Sequence, residues 1–195
     1  MPSYNSDRHL YIGFHGCEKS LAYDLITHRC EMQPSRNSYD WLGAGCYFWE
    51  NDPERALEFA RDVKKCKEPF VIGAVLDLGY CLDLTCRDNV VLLKDVYDSI
   101  IHPLFELGKL KLNKVPKGSI TDDLLLRYLD CSVIEALHDF NKAKGYEEYD
   151  SVRAGFWEGK EIYQTAGFRE RNHIQLCVRN PQCIVGLFLP DGYNF

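Results

Sequence analysis

Strand-like segments occupy both ends of this 195-residue chain, and a helix-like block separates them. The strand-like segments cover residues 9–14, 45–49, 70–78, 81–84, 151–157, 173–178 and 183–189. Residues 88–108 and 121–144 have helix-like patterns instead. The length predicts one domain. The block at 88–145 is then either an insertion on one side of the sheet or part of a substrate platform.

Local signals place several helix ends and loops. A helix is expected over residues 18–28, where apolar residues recur at helical spacing. Asp52 can cap the next helix and Pro53 suits its first position, with a buried stripe expected at Ala56, Phe59, Ala60 and Val63. Thr121 is expected to cap the last helix of the block, and Gly145 to end it. Polar loops are expected at 31–40, 109–117 and 158–172.

Composition narrows the classes of partner. The formal net charge of −6 gives no whole-protein basic field toward nucleic acid, which leaves only a local basic patch open. The nine cysteines form no C-x-x-C motif, and no secretory apolar run surrounds Arg8 and His9. We therefore expect reduced thiols in a cytoplasmic protein. No apolar run reaches membrane-spanning length, so we expect no membrane contact.

Two short segments carry the chemistry. Residues 13–16 (GFHG) place an imidazole, His15, beside the open backbone of Gly16. Residues 42–48 (LGAGCYF) place the flat ring of Tyr47 after two glycines. A hydrogen-bonding imidazole, an accessible backbone and a stacking ring are what a planar heterocycle joined to a ribose needs. Nicotinamide riboside, the reactive half of NAD, fits that description.

Together with the strand at 173–179 (HIQLCVR), these segments resemble the ADP-ribosyltransferases, in the branch that includes diphtheria toxin and the poly(ADP-ribose) polymerases. The histidine of that branch matches His15, and its G-x-Y-F strand matches residues 45–48. The position of its glutamate falls on Gln175. The resemblance covers residues 9–84 and 150–189. The combined pattern is also similar to a group of small bacterial proteins of this type.

The resemblance implies a fold and a reaction. The fold would be α+β, with a split, mostly antiparallel β core, flanking helices and a helical insertion at about 88–145, in one domain over residues 1–195. The reaction would be mono-ADP-ribosyl transfer from NAD to a protein or nucleic acid, with release of nicotinamide and without a metal. The same resemblance suggests a toxin or anti-phage effector with a neutralising partner protein. The alternatives are an NAD glycohydrolase and a catalytically silent module that binds NAD or ADP-ribose.

The resemblance also assigns roles to residues of the site. His15 would orient the nicotinamide ribose, and the Gly16 backbone would bind the carboxamide. Tyr47 would stack on the nicotinamide ring, with Phe59 on its other side. Arg36, in the loop before Gly43, is the candidate for the pyrophosphate.

Gln175 departs from the family pattern at the position that stabilises the developing oxocarbenium ion. A carboxylate 4 Å from that ion contributes roughly 4 kcal/mol at an effective dielectric constant near 20, whereas a glutamine hydrogen-bonds a hydroxyl without carrying charge. Three interpretations stay open. Glu170 or Glu161, from the predicted loop, supplies the carboxylate; Gln175 suffices for a strongly nucleophilic acceptor; or the site binds NAD without turnover.

Overall fold

A seven-stranded sheet organises the protein in a computed structural model, which describes residues 9–195. The strands are β1 (Leu10–Glu18), β2 (Cys46–Glu50), β3 (Pro69–Asp77), β4 (Cys81–Asp83), β5 (Ser151–Glu161), β6 (Arg169–Val178) and β7 (Ile184–Phe188). Their order across the sheet is β4-β5-β6-β2-β1-β3-β7. Every neighbouring pair is antiparallel except β4 and β5. The expected α+β class with a mostly antiparallel core is confirmed. Residues 1–8 of the predicted domain, Arg8 included, lie outside the described residues.

Helices cover the sheet and connect its strands. They are α1 (Lys19–Ile26), α2 (Pro53–Glu58), α3 (Arg87–Val96), α4 (His102–Glu106) and α5 (Tyr128–Lys144), with π-helical turns at Phe59–Val63 and Tyr97–Ile101. The predicted start of α2 is confirmed, because the Asp52 carboxylate accepts the backbone N–H of Arg55 at 2.9 Å and Pro53 is the first helical residue. Gly145, at φ +68°, ends α5 as predicted.

Two helix predictions are wrong. Residues 121–127 are not helical, and α5 begins only at Tyr128. The Thr121 hydroxyl donates to Asp123 instead of capping a helix. In the helix that begins at Pro53, Ala56 of α2 and Ala60 of the following π-helical turn are buried as expected, but Val63 is exposed. The π-helical turn at Phe59–Val63 shifts the rotational phase of the helix, so a stripe counted at α-helical spacing does not reach its end.

The predicted loop at 158–172 is a β-hairpin. Strands β5 and β6 continue to Glu161 and from Arg169, with a register shift between Glu158 and Glu161. Residues 169–172 are all exposed. This part of the hairpin extends beyond the core. Its residues are polar because they are exposed to solvent, although they form a strand.

The split between β1 and β2 lies beside His15. The predicted strand over 9–14, with His15 directly after its end, is too short. Strand β1 pairs with β3 as far as Glu18, so His15 lies inside the strand, opposite Ile72. Pairing of β1 with β2 is confined to Gly13 opposite Glu50 and Phe14 opposite Trp49. The two strands therefore separate after Phe14, next to the predicted site residue His15.

The sheet has two differently covered faces. The front face, defined by Trp49, Val71, Val152 and Cys177, packs against α2, α3 and α5. The back face, defined by Phe48, Ile72, Leu76 and Leu176, packs against α1, Met32 and the C-terminal residues Leu189 and Tyr193. Since successive strand residues alternate between faces, Tyr47, His173 and Gln175 lie on the front face and His15 on the back face.

Replacing Gly16 with alanine tests the packing of α2 on β1. A Cβ atom at Gly16 would overlap the carbonyl oxygen of Ala56, so the helix approaches the strand only because this residue is glycine. Gly16→Ala is expected to lower the free energy of unfolding by about 1–3 kcal/mol. Gly186→Ala, on the edge strand β7 with no atom within 4 Å of the added Cβ, is the control. Equal urea midpoints for the two variants would contradict this packing.

Candidate functional site

The three motif segments lie on three neighbouring strands. His15 is on β1, Tyr47 on β2 and Gln175 on β6, in the order β6-β2-β1. Trp49 of β2 lies opposite both Phe14 and Gln175, so it marks the centre of this region. Segments far apart in the sequence therefore meet at the split in the sheet.

His15 is held in one tautomer at this split. Its Nδ1 lies 2.7 Å from the carbonyl oxygen of Tyr47. Because a carbonyl oxygen only accepts, Nδ1 carries the proton and the neutral ring keeps an acceptor at Nε2. Burial, followed by the charge of Lys64, lowers the pKa of His15 to about 4. The ring is therefore neutral at physiological pH.

Tyr47 is fixed by its hydroxyl on the front face. The hydroxyl donates to the carbonyl oxygen of Gly43 at 2.7 Å and accepts the N–H of Leu42 at 2.9 Å. Burial raises the pKa of Tyr47 above its usual value, so the phenol stays protonated. Phe59 does not complete a sandwich here. Within the described residues its aromatic partner is Trp49, with ring centroids 5.0 Å apart.

The other predicted contacts lie in different surroundings. Gly16 is covered by the Ala56 carbonyl, and its own carbonyl oxygen is 3.4 Å from Nζ of Lys64. Arg36 is exposed in the loop whose Ser35 pairs with Gly45. Helix α2 therefore covers the Cα of Gly16, whereas the sequence predicted an open backbone there.

Neither predicted carboxylate lies beside Gln175. Glu170 is on β6 itself, and the alternation of the strand puts it on the opposite face from Gln175. It is exposed and accepts the N–H of Lys160 at 3.2 Å. Glu161 accepts the N–H of Thr165 at 2.9 Å near the hairpin tip. Both carboxylates belong to the hairpin that was expected to be a loop.

A buried ion pair on the front face was not predicted. Nη2 of Arg55 lies 3.1 and 3.0 Å from the two carboxylate oxygens of Glu158. The side chains are only 10% and 2% exposed, so the pair is almost fully removed from water. His173 lies beside this pair, with Nε2 3.5 Å from Oε1 of Glu158.

Trp49 and Gln175 lie beside these groups on the same face of the sheet. The guanidinium of Arg55 lies 5.9 Å from the centre of a Trp49 ring. Trp49 is opposite Gln175, and His173 is two residues from Gln175 on the same strand face. We call Trp49, Arg55, Glu158, His173 and Gln175 the polar ring.

The polar ring contains buried polar atoms without a hydrogen-bond partner within residues 9–195. They are Nε1 of Trp49, Nε of Arg55, Nε2 of His173 and Oε1 of Gln175. A buried unsatisfied group typically costs about 1–3 kcal/mol. In folded proteins, buried polar atoms of this kind usually pair with ordered water or with a ligand.

The tautomer of His173 sets the chemistry of the ring. Its Nδ1 lies 3.0 Å from the carbonyl oxygen of Arg171, so Nδ1 carries the proton. Burial is the largest influence on the pKa of His173 and lowers it, which favours the neutral imidazole. Nε2 is then an acceptor that faces the Glu158 carboxylate. Two donors, on Trp49 and Arg55, and two acceptors, on His173 and Gln175, stay available.

Aromatic side chains separate the polar ring from a cleft. Trp41 and Phe156 contact the His173 ring at centroid distances of 6.2 and 5.8 Å. The guanidinium of Arg127 lies 4.3 Å from the Trp41 ring and 4.8 Å from the Phe156 ring. A cleft of about 380 Å³ borders Trp41 and Phe156, with Leu93 and Tyr97 among its lining residues.

Residues 9–195 contain no group of three or more His, Cys, Asp or Glu side chains placed to hold a metal ion. All nine cysteines are free thiols, and burial raises the pKa of Cys17 to about 11. Over the same range, no helix has the length and apolarity needed to cross a membrane.

Comparison with known proteins gives a distant relative. The chain is 25% identical over 193 residues to an uncharacterized protein of Methanocaldococcus jannaschii, and the match covers 88% of this chain and 83% of that protein. No protein-family model matches the chain. No solved structure matches it.

Removing one charge of the buried ion pair tests its contribution. Glu158→Gln removes the buried counterion of Arg55 and leaves only the exposed Glu58 carboxylate, 3.7 Å from Nη1, so a loss of about 3–5 kcal/mol in the free energy of unfolding is expected. A double replacement of Arg55 and Glu158 by methionine removes both charges and should lose less than Glu158→Gln. Lys94→Met, which breaks an exposed ion pair with Asp98, is the control. Urea unfolding with a double variant less stable than Glu158→Gln would contradict this interpretation.

The pH dependence of stability tests the burial of His15. Its pKa falls from 6.5 to about 4 on folding, so the folded protein binds fewer protons than the unfolded chain between these values. Stability from neutral His15 is present above pH 6.5 and is lost as the pH falls toward 4. His15→Gln should therefore flatten the decline over this window in urea unfolding. His28→Gln, at an exposed position, should leave the slope unchanged, and equal slopes for both variants would refute the burial argument.

Proposed function

We propose that this protein is an NAD-dependent ADP-ribosyltransferase that moves ADP-ribose to a macromolecular acceptor, a protein or a nucleic acid, and releases nicotinamide. The observation that carries the proposal is that His15, Tyr47 and Gln175 lie on three neighbouring strands at the split in the sheet. The side chains of Tyr47 and Gln175 are on the front face, and His15, on the back face, is joined to this strand by its hydrogen bond to the Tyr47 carbonyl. These are the three positions that the resemblance assigns to NAD.

The chemistry of His15 supports its proposed role at the nicotinamide ribose. The Tyr47 carbonyl fixes the proton on Nδ1, and the lowered pKa keeps the ring neutral. A neutral imidazole in this tautomer accepts a hydrogen bond from a sugar hydroxyl through Nε2. The proposal keeps Tyr47 as the stacking ring and the exposed Arg36 as the pyrophosphate contact.

Gln175 limits the stabilisation that the site gives to the reacting sugar. Its carbonyl oxygen, buried and unpartnered within the described residues, can accept a ribose hydroxyl. It supplies no negative charge. Glu158 is the carboxylate on the same face, and Arg55 compensates its charge. This arrangement favours a transferase with a strongly nucleophilic acceptor, and the same observation supports a second candidate, a silent module that binds NAD.

Nicotinamide release from NAD by the purified protein, with and without cell lysate, tests the proposal. Release that requires lysate is expected, because the acceptor is macromolecular. Gln175→Ala should lower the rate at least about a hundredfold if the carboxamide stabilises the transition state. Glu170→Ala, on the opposite face of β6, is the matched control and should retain the rate.

The other outcomes separate the alternatives. Release without lysate would identify an NAD glycohydrolase. NAD binding without release under any condition would identify the silent binding module. Loss of release in Glu170→Ala alone would contradict the placement of the reacting sugar at Gln175.

A further inference from the structure

We infer that the lysine-rich segment at 109–117 and a neighbouring cavity bind a single-stranded nucleic acid, which in the proposed function is the acceptor of ADP-ribose. The inference rests on the proposed function only for that role, since the binding itself follows from charge and shape. The segment belongs to the helical block at 88–145, which the resemblance does not cover. In the reaction, an oxygen or nitrogen of the strand forms a bond to C1′ of the ribose while the bond to nicotinamide breaks, and the proton of that group passes to solvent.

Four lysines give this segment a positive charge on an acidic protein. They are Lys109, Lys111, Lys114 and Lys117, and all four are exposed. No aspartate or glutamate occurs between residues 107 and 121, although the formal net charge of the chain is −6. We call residues 109–117 the basic strip. Backbone phosphates fit such a strip, because lysine side chains bind them through charge and without reading the base sequence.

The basic strip is fixed to the start of α5. Oδ1 of Asn113 accepts the N–H of Leu129 at 2.8 Å. The backbone of Lys114 pairs with that of Leu126 in both directions, with N···O distances of 2.8 and 3.0 Å. The lysine side chains therefore extend into solvent from a backbone that is already ordered, so binding does not have to order the strip first.

The pairing of Lys114 with Leu126 closes a loop whose second arm forms one wall of a cavity. This cavity of about 570 Å³ lies between the loop and the hairpin of β5 and β6. Ile120 and Asp122 line it from the loop, and Tyr163 is among the residues that line it from the hairpin. Its volume is in the range of sites that hold small organic molecules, so it has room for a nucleobase.

The cavity is connected to the candidate site. Oδ2 of Asp123, in the loop, accepts the N–H of Gly159 at 2.9 Å and so joins the two walls. Gly159 directly follows Glu158 of the polar ring on β5. Arg169 lines the cavity from β6, six residues before Gln175, which is about 20 Å along the strand. A short oligonucleotide seated in the cavity can therefore reach the proposed position of the reacting sugar.

The charges of the strip and the cavity assign different parts of a nucleotide to each. The exposed carboxylates of Asp122 and Glu161 line the cavity and repel a phosphate. A carboxylate instead accepts a hydrogen bond from the exocyclic amino group of a base. The ring of Tyr163 is 62% exposed and gives a base a face for stacking. This division favours a single strand, because a duplex keeps its bases stacked inside and an anionic lipid headgroup has no base.

Fluorescence anisotropy of the full chain with a labelled single-stranded oligonucleotide of about 16 nucleotides tests the inference. Combining Lys114→Ala with Lys117→Ala removes two phosphate contacts. The affinity should fall at least about tenfold, and the slope of log K against log salt concentration should become shallower by about 1.4. The control combines Lys142→Ala with Lys144→Ala, which changes the net charge equally at the far end of α5, about 24 Å from its start. Equal slopes for the two double variants would overturn the inference.

Replacing Tyr163 tests the role of the cavity. Tyr163→Ala should weaken binding at least about fivefold and leave the salt slope unchanged, because stacking is not ionic. Tyr146→Ala, at a position 60% exposed beyond the end of α5, is the matched control. A duplex of the same sequence should bind more weakly than the single strand. Equal affinities for the strand and the duplex would overturn the placement of a base in the cavity.

Two further results would overturn the inference. Binding to vesicles of phosphatidylcholine and phosphatidylserine that is lost in the Lys114 and Lys117 variant, without binding to the oligonucleotide, would assign the strip to a membrane surface. Binding to neither probe would leave it a solvated loop. The binding assay contains no NAD, so it is independent of the proposed function. Oligonucleotide binding without nicotinamide release would refute the transferase alone, and transfer to a lysate protein without oligonucleotide binding would refute this inference alone.

Discussion

The buried ion pair between Arg55 and Glu158 is the interaction on which the front face depends, because it joins helix α2 to strand β5 across β2 and β6. Two charges removed from water stabilise a fold only as a pair, so the position of each side chain constrains the other. Arg55 reaches this place because Asp52 caps α2 one turn earlier and the absence of a side chain at Gly16 lets the helix lie directly on β1. The start of one short helix thus determines the geometry of the polar ring.

The same ion pair limits the chemistry of the site. Glu158 is the carboxylate of the polar ring, and its two oxygens already accept hydrogen bonds from Arg55. Its negative charge therefore contributes little to a cation that develops nearby, and Gln175 contributes dipole and no net charge. In the proposed transferase, such a site would stabilise an oxocarbenium ion only weakly. The proposed reaction would therefore require a strongly nucleophilic acceptor, and the alternative of a silent binding module differs from it by this one electrostatic contribution.

The sequence predicts those features whose signals are local. The cap at Asp52, the helix end at Gly145 and the apolar strand segments were identified because each depends on a few adjacent residues. The hairpin of β5 and β6 was missed because a polar segment is typical of a loop, and the sequence does not show that two such segments pair with each other. The Arg55–Glu158 pair joins residues 103 positions apart, and no periodicity connects them. Glu158 does follow Ala154 and Phe156 in alternation, a signal that becomes readable only once β5 is extended beyond Trp157.

The helical block at 88–145 contacts residues of the candidate site. Glu135 of α5 accepts the N–H of Ala44 at 2.6 Å and pairs with Arg179 at 3.1 Å, which fixes the loop that holds the Tyr47 hydroxyl. Immediately before α5, Arg127 packs on Trp41 and Phe156, the rings that cover His173. Of the two roles predicted for residues 88–145, an insertion on one side of the sheet or part of a substrate platform, these contacts are the ones that a substrate platform would require.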